Sequence, residues 1–132
     1  MTAEPACARV PRIDPRVAAW AEQTLERAAE HLDQADDPLR AIARHARDVT
    51  APDLPHADSH LVEQVCRACI AAIALVFVTD YRRLALFDAR DAADPAKTAA
   101  AVTRLLADHP AELRPHLAHR AATKIAIHGM TI

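Results

Sequence analysis

A single glycine, Gly129, is present in the 132 residues of this chain, and this scarcity restricts the folds open to it. β-Sandwiches use glycine in their turns, and nucleotide-binding α/β domains use it in their phosphate loops. Alanine, the strongest helix former, supplies much of the hydrophobic share of 52%. The chain is therefore expected to be all-α, and its length is sufficient to bury the core of one domain.

Proline marks the expected starts of most helices. An N-cap residue stands directly before a proline at Asp14-Pro15, Asp37-Pro38 and Asp94-Pro95, and His109-Pro110 is a similar pair. Aspartate is favoured at the N-cap, and proline is favoured at the first helical position, where its missing N–H does no harm. With the spacing of the apolar residues, these pairs predict helices over about 15–35, 38–49, 95–108 and 110–128. Pro115 is expected to kink or divide the last of them.

A further helix is predicted between the second and fourth, over about 59–89, with Asp58 or Ser59 as its cap. The whole pattern predicts a bundle of four to five helices around this long, largely apolar central helix. Residues 1–13 contain two prolines and no helical period, so we expect an extended or mobile arm there. Residues 14–132 are expected to form a single helical-bundle domain.

The central helix has no charged residue from Ala68 to Thr79. A membrane span needs about 20 apolar residues, so this stretch is expected to lie in a protein core and not in a membrane. A helix that is apolar all round is enclosed by other helices or shared with a second subunit. Because only four other helices are expected, two of them short, we predict a homodimer through the central helix.

The central helix also contains C-x-x-C at Cys66 and Cys69. On a helix, residues three apart lie on one face, and His116 and His119 form a second pair of that spacing. These four residues could form a Cys2His2 zinc site joining the third and fifth helices. Free cysteine is, however, among the most buried residue types, and two core cysteines with no metal is the favoured interpretation. The absence of an apolar leader at the start predicts a cytoplasmic, reduced protein.

The last helix carries a regular polar pattern, because His116, Arg120, Lys124 and His128 follow one another at four-residue spacing. We call these four residues the basic ridge. A basic ridge beside an apolar one suits an acidic protein, an anionic ligand or a membrane surface. The simpler alternative is a solvated face that complements the negative C-terminal end of the helix.

No nucleophile–base motif, phosphate-binding loop or zinc-protease motif occurs in the sequence. A net charge of −2 and an aromatic content of 3% argue against a nucleic-acid partner. The sequence therefore favours a small cytosolic, non-enzymatic helical protein that acts through protein–protein contacts, in a regulatory role. The alternative is a small-molecule-binding or metal-dependent enzyme with its site between the third and fifth helices.

Overall fold

The computed structural model describes residues 14–53, 59–81 and 95–128. Within these ranges the chain forms five α-helices, with one 3-10 turn after the first helix and another before the last, and no strand. The helices are α1 (Pro15–Ala29), α2 (Pro38–Thr50), α3 (Ser59–Thr79), α4 (Pro95–Asp108) and α5 (Arg114–His128), and the 3-10 turns are Leu32–Gln34 and Ala111–Leu113. The predicted all-α bundle is confirmed. The predicted arm at 1–13 lies outside the described residues.

The aspartate–proline pairs begin α1 and α2 as predicted. The Asp14 carboxylate accepts a hydrogen bond from the Arg16 backbone N–H at 2.8 Å. The Asp37 carboxylate accepts one from the Arg40 backbone N–H at 3.2 Å. Each cap satisfies one of the N–H groups that lack a partner in the first turn of a helix. Helix α4 likewise begins at Pro95, the expected first position.

Two predicted C-terminal boundaries were wrong. The first helix was expected to reach residue 35, but α1 ends at Ala29 and is followed by the 3-10 turn. Ala35 is extended, and so is Asp37, the residue directly before Pro38, where a proline disfavours the helical conformation. The central helix was expected to reach residue 89, but α3 ends at Thr79, and Asp80 and Tyr81 lie in a turn. Residues 82–89 lie outside the described part of the chain.

The helix predicted over 110–128 was expected to be kinked or divided at Pro115, and it is divided next to this residue, because the 3-10 turn Ala111–Leu113 comes first and α5 follows. The helix begins at Arg114, so Pro115 lies in its first turn. A proline there removes no helical hydrogen bond, since the N–H groups of the first turn have no partner inside the helix.

Helix α3 is the centre of the bundle because it contacts each of the other four described helices. The core between them is formed by side chains that are almost completely inaccessible to solvent. The larger Trp20 and Phe77 keep 5% and 3% exposure, and the largest fully buried members are Leu25, Leu32, Ile42, Ile73, Leu106, Leu117 and Ile125. Helix α1 packs most extensively against α5, so the two ends of the described chain close the bundle.

In the described residues α3 is also the one helix long and apolar enough to cross a bilayer, judged by length and composition alone. Its 21 residues include Glu63 and Arg67 in the first turns and no other charge. The core helix of a soluble protein has the same length and composition. The prediction that the chain has no membrane segment therefore stays a prediction.

Candidate functional site

The basic ridge of α5 meets the C-terminal end of α3 at Asp80. One oxygen of the Asp80 carboxylate accepts a hydrogen bond from Arg120 Nε at 2.7 Å, and the other accepts one from Lys124 Nζ at 3.2 Å. The Thr79 hydroxyl donates a third hydrogen bond to this carboxylate, at 3.0 Å. Two of the four ridge residues are thus ion-paired within the chain.

The Asp80 carboxylate is strongly held in its charged form. The hydrogen bond from Arg120 is the largest cause and lowers the pKa of Asp80 to about 2, with further contributions from Lys124 and Thr79. Burial opposes this shift, because the Asp80 side chain is only 14% exposed. The same pairing raises the pKa of Arg120. Because the C-terminal end of a helix is itself partly negative, an acid at this position requires nearby cations.

The other two residues of the basic ridge differ in position. His116 is exposed in the first turn of α5, whereas the side chain of His128, the last residue of α5, lies outside the described part of the structure. Arg120 remains 45% exposed and Lys124 is 21% exposed. Arg120 and Lys124 together carry two positive charges, and Asp80 neutralises one of them. Binding of an acidic protein or an anionic ligand stays a prediction, with Arg120 and His116 as its accessible members.

The residues of the predicted zinc site are directed to different partners. The Cys69 thiol is buried and lies 3.5 Å from the Ala21 carbonyl oxygen of α1, to which it donates. His119 is exposed, and its Nδ1 lies 2.7 Å from Glu26 Oε2, also of α1. Among the described residues, no group of three or more histidine, cysteine, aspartate or glutamate side chains could hold a metal ion. The structure therefore does not bring Cys66, Cys69, His116 and His119 together.

Both described cysteines have environments that disfavour the thiolate. Burial is the largest cause and raises the pKa of the Cys69 thiol far above its ordinary value. Burial also raises the pKa of the half-buried Cys66 thiol, although the nearby Arg47 opposes this. The thiolate is the form that attacks electrophiles and binds metals, so these two thiols are poor nucleophiles in the folded chain.

An aromatic cluster at the C-terminal end of α3 was not predicted. The His109 ring meets Phe77 edge-on, at 5.8 Å between ring centroids, and meets Tyr81 in the same manner at 5.4 Å. His109 Nε2 is buried and has no hydrogen-bond partner within the described residues. Burial, followed by the Arg114 charge, lowers the pKa of His109. No local signal predicts this cluster, because His109 lies about thirty residues after its aromatic neighbours.

Two open grooves lie elsewhere on the surface. One, of about 460 Å³, runs along the outer face of α1 and includes Glu22 and Glu26. The other, of about 630 Å³, lies between the N-terminal end of α2 and the C-terminal half of α4, beside Arg114. Neither groove includes a residue of the predicted site. Both grooves are open to solvent.

The outward face of α3 changes character along its length. Its N-terminal half is polar, where the Glu63 carboxylate and the Arg67 guanidinium form an exposed ion pair at 2.7 Å. Its C-terminal half is apolar and half-buried. We call this second half the α3 patch, and its members are Ile70, Ala71, Leu75 and Val78. The adjacent Ala74, at 8% exposure, contributes little side-chain bulk.

No family model, curated protein or solved structure matches this chain. Any function must therefore be inferred from the residues and their geometry.

Proposed function

We propose that this chain is a non-enzymatic helical protein that acts through protein–protein contacts and pairs with a second copy of itself through the α3 patch. One observation carries the proposal. The C-terminal half of α3 has no charged residue up to Asp80, yet Ile70, Leu75 and Val78 are only half-buried within the chain. Burying the remainder of these side chains would contribute free energy to association.

A second copy fits the α3 patch for two physical reasons. The patch has no charge, so its partner surface should also be uncharged. An identical patch on a second copy is such a surface. Ala71 and Ala74 are small, and helix axes approach more closely where the side chains at the contact are small. A twofold interface in which each subunit presents the same patch is the commonest form of homodimer.

The packing on the inner side of α3 supports this proposal over the enzyme alternative. Leu117, Ala121 and Ile125 of α5 are at most 2% exposed, so the inward face of α5 is occupied by close packing. A site for a small molecule between α3 and α5 would require these side chains to separate. The half-buried α3 patch, in contrast, needs no rearrangement to meet a partner.

We further propose a cytoplasmic location and a regulatory role exerted through contacts. Cys66 and Cys69 are free thiols in the described structure, which suits a reducing compartment. The net charge of −2 and the aromatic content of 3% favour a protein partner over a nucleic acid. These proposals rest on composition and on the thiols. The regulatory role depends on self-association, which the mass of the chain in solution tests.

The test is the mass of the full chain in solution, measured by light scattering coupled to size-exclusion chromatography. We expect a species of twice the 14.4 kDa chain mass. Leu75→Glu introduces a charge into the α3 patch and is expected to shift the protein to the monomer. Ala19→Glu introduces the same charge at an exposed position on α1 and is expected to leave the dimer intact.

Two results would overturn the proposal. One is a monomeric wild-type chain at all concentrations, and the other is a Leu75→Glu variant that remains dimeric. Circular dichroism at 222 nm shows whether the variant is folded, and Val78→Glu provides a second substitution in the patch if it is not. Insertion of the wild-type chain into phosphatidylcholine vesicles would instead show that α3 is a membrane segment.

A further inference from the structure

Two histidine rings are stacked on each other, one in the turn that follows α1 and the other within α2. The rings of His31 and His45 have centroids 5.5 Å apart, and their planes are within 4° of parallel. His31 is held at the junction by its backbone, because its N–H donates to the Ala28 carbonyl at 2.9 Å and its carbonyl accepts from the Gln34 N–H at 3.3 Å. The pair therefore spans the connection between α1 and α2.

The surroundings of His45 disfavour a positive charge. Its Nδ1 is buried and has no hydrogen-bond partner among the described residues. Burial is the largest cause, and His31 the second, of a lowered pKa of His45. The other charged groups that act on it are Arg27 from α1 and Arg44 and Asp48 from α2 itself. Only Asp48 favours the protonated ring, and the two arginines oppose it.

We propose that the His31–His45 pair is a pH-sensitive joint, which holds the end of α1 against α2 while His45 is neutral and loosens as the His45 ring takes up a proton. The joint is separate from the α3 patch, because it lies between the turn after α1 and helix α2. It adds a mode of regulation that self-association alone does not provide.

The sign of the effect follows from proton linkage. The pKa of His45 in the closed joint lies below its ordinary value of 6.5, so the open state binds more protons than the closed state as the pH falls. The stability of the joint is therefore complete above pH 6.5 and decreases as the pH falls through and below that value. A proton on His45 places a positive charge beside Arg27 and Arg44 on a ring whose Nδ1 is buried without a partner, and opening returns that ring to water.

The consequences of opening extend beyond the two rings. The 3-10 turn that follows His31 supplies the carbonyl oxygen of Leu32, and Ala35 comes directly after the turn. Both carbonyls accept hydrogen bonds from the Arg114 guanidinium of α5, at 3.3 and 3.1 Å. Loosening the turn would weaken the attachment of α5 to the end of α1. The joint therefore couples the protonation of His45 in α2 to the position of α5.

The proposal is tested with the full chain by proton NMR of the histidine rings between about pH 7.5 and about pH 5.5. We expect the midpoint of the His45 titration to lie below the ordinary histidine value of 6.5. In His31→Gln the nearby ring charge is gone, so the His45 midpoint is expected to rise. His116→Gln removes an exposed histidine and is the matched control, which should leave the His45 midpoint unchanged.

Amide hydrogen exchange measures the opening itself. After correction for the intrinsic exchange rate, protection of residues 29–34 in the wild type is expected to fall over the same pH range, and the fall should be smaller in His31→Gln. Constant protection of these amides in the wild type would overturn the proposal, whether or not the variant folds. So would a His45 midpoint at or above 6.5, or one that His31→Gln leaves unchanged.

Discussion

The Asp80 carboxylate lies 2.7 Å from Arg120 Nε, and this ion pair joins residues 40 positions apart in the sequence. It attaches the C-terminal end of the central helix to the basic ridge of α5. Lys124 completes the attachment on the other carboxylate oxygen. Arg120 and Lys124, which the sequence pattern predicts to bind a partner, therefore also have a structural role.

Asp80→Asn is expected to lower the free energy of unfolding by about 0.5–1 kcal/mol, the range of partly exposed ion pairs. Because the pKa of Asp80 is lowered from 3.8 to about 2, its contribution is complete above pH 3.8 and is lost as the pH falls through about 2. Urea unfolding at several pH values measures the difference between wild type and variant. Asp108→Asn, at the exposed end of α4, is the control. An equal effect of both substitutions would contradict the structural role of Asp80.

Leu117→Ala is expected to lower the free energy of unfolding by about 2–5 kcal/mol, because it leaves a cavity in the core. Leu117 is 1% exposed, whereas Leu113, one turn earlier in the chain, is 46% exposed. Leu113→Ala is therefore expected to change the stability by no more than about 0.5 kcal/mol. Chemical unfolding of both variants checks the comparison, and similar losses would show that the inward face of α5 is misassigned.

Arg114→Lys is expected to cost about 2 kcal/mol, although it keeps the positive charge. The guanidinium donates to three backbone carbonyls, including that of Leu106 at 3.2 Å, and a single ammonium group cannot reproduce that fork. Arg104→Lys, at an exposed position on α4, is expected to have no measurable effect. A fully stable Arg114→Lys variant would show that the charge alone is sufficient. Thermal and urea unfolding provide the measurement.

His109→Phe is expected to make the protein less sensitive to acid. The pKa of His109 is lowered from 6.5 by burial and by Arg114, so the unfolded state binds more protons, and stability falls as the pH decreases through and below 6.5. Phenylalanine retains edge-on aromatic packing with Phe77 and Tyr81 without a titrating group. Melting temperatures at about pH 7.5 and about pH 5 should differ less in the variant. A pH dependence identical to that of wild type would contradict the assignment.

Thiol labelling is expected to distinguish the two described cysteines. Cys7 lies outside the described residues, so the measurement uses a Cys7→Ser background. With a thiol-specific aromatic disulfide, the half-buried Cys66 should react first, and Cys69 only through opening of the core. Both should react rapidly and equally in urea. Rapid labelling of Cys69 in the folded protein would show that the interface between α1 and α3 is open.

The starts of the helices were predictable because their signals act within one turn. Asp14 and Asp37 cap the helices that follow them, and Pro95 begins α4. The ends were less predictable, since α1 and α3 both stop earlier than their apolar pattern suggests. At the end of α3, Asp80 leaves the helix and pairs with side chains of α5, a cause that no local pattern contains.

By itself, the sequence determined an all-helical bundle, the first residues of most helices and the central place of a largely apolar helix. Caps, prolines and apolar spacing decide these features through contacts between residues near in sequence. Only the tertiary structure decided that Arg120 and Lys124 bind Asp80, that His119 faces Glu26 away from Cys69, and which histidine rings meet. Those contacts join separate helices. They therefore depend on how the helices pack and on which side chains that packing removes from solvent.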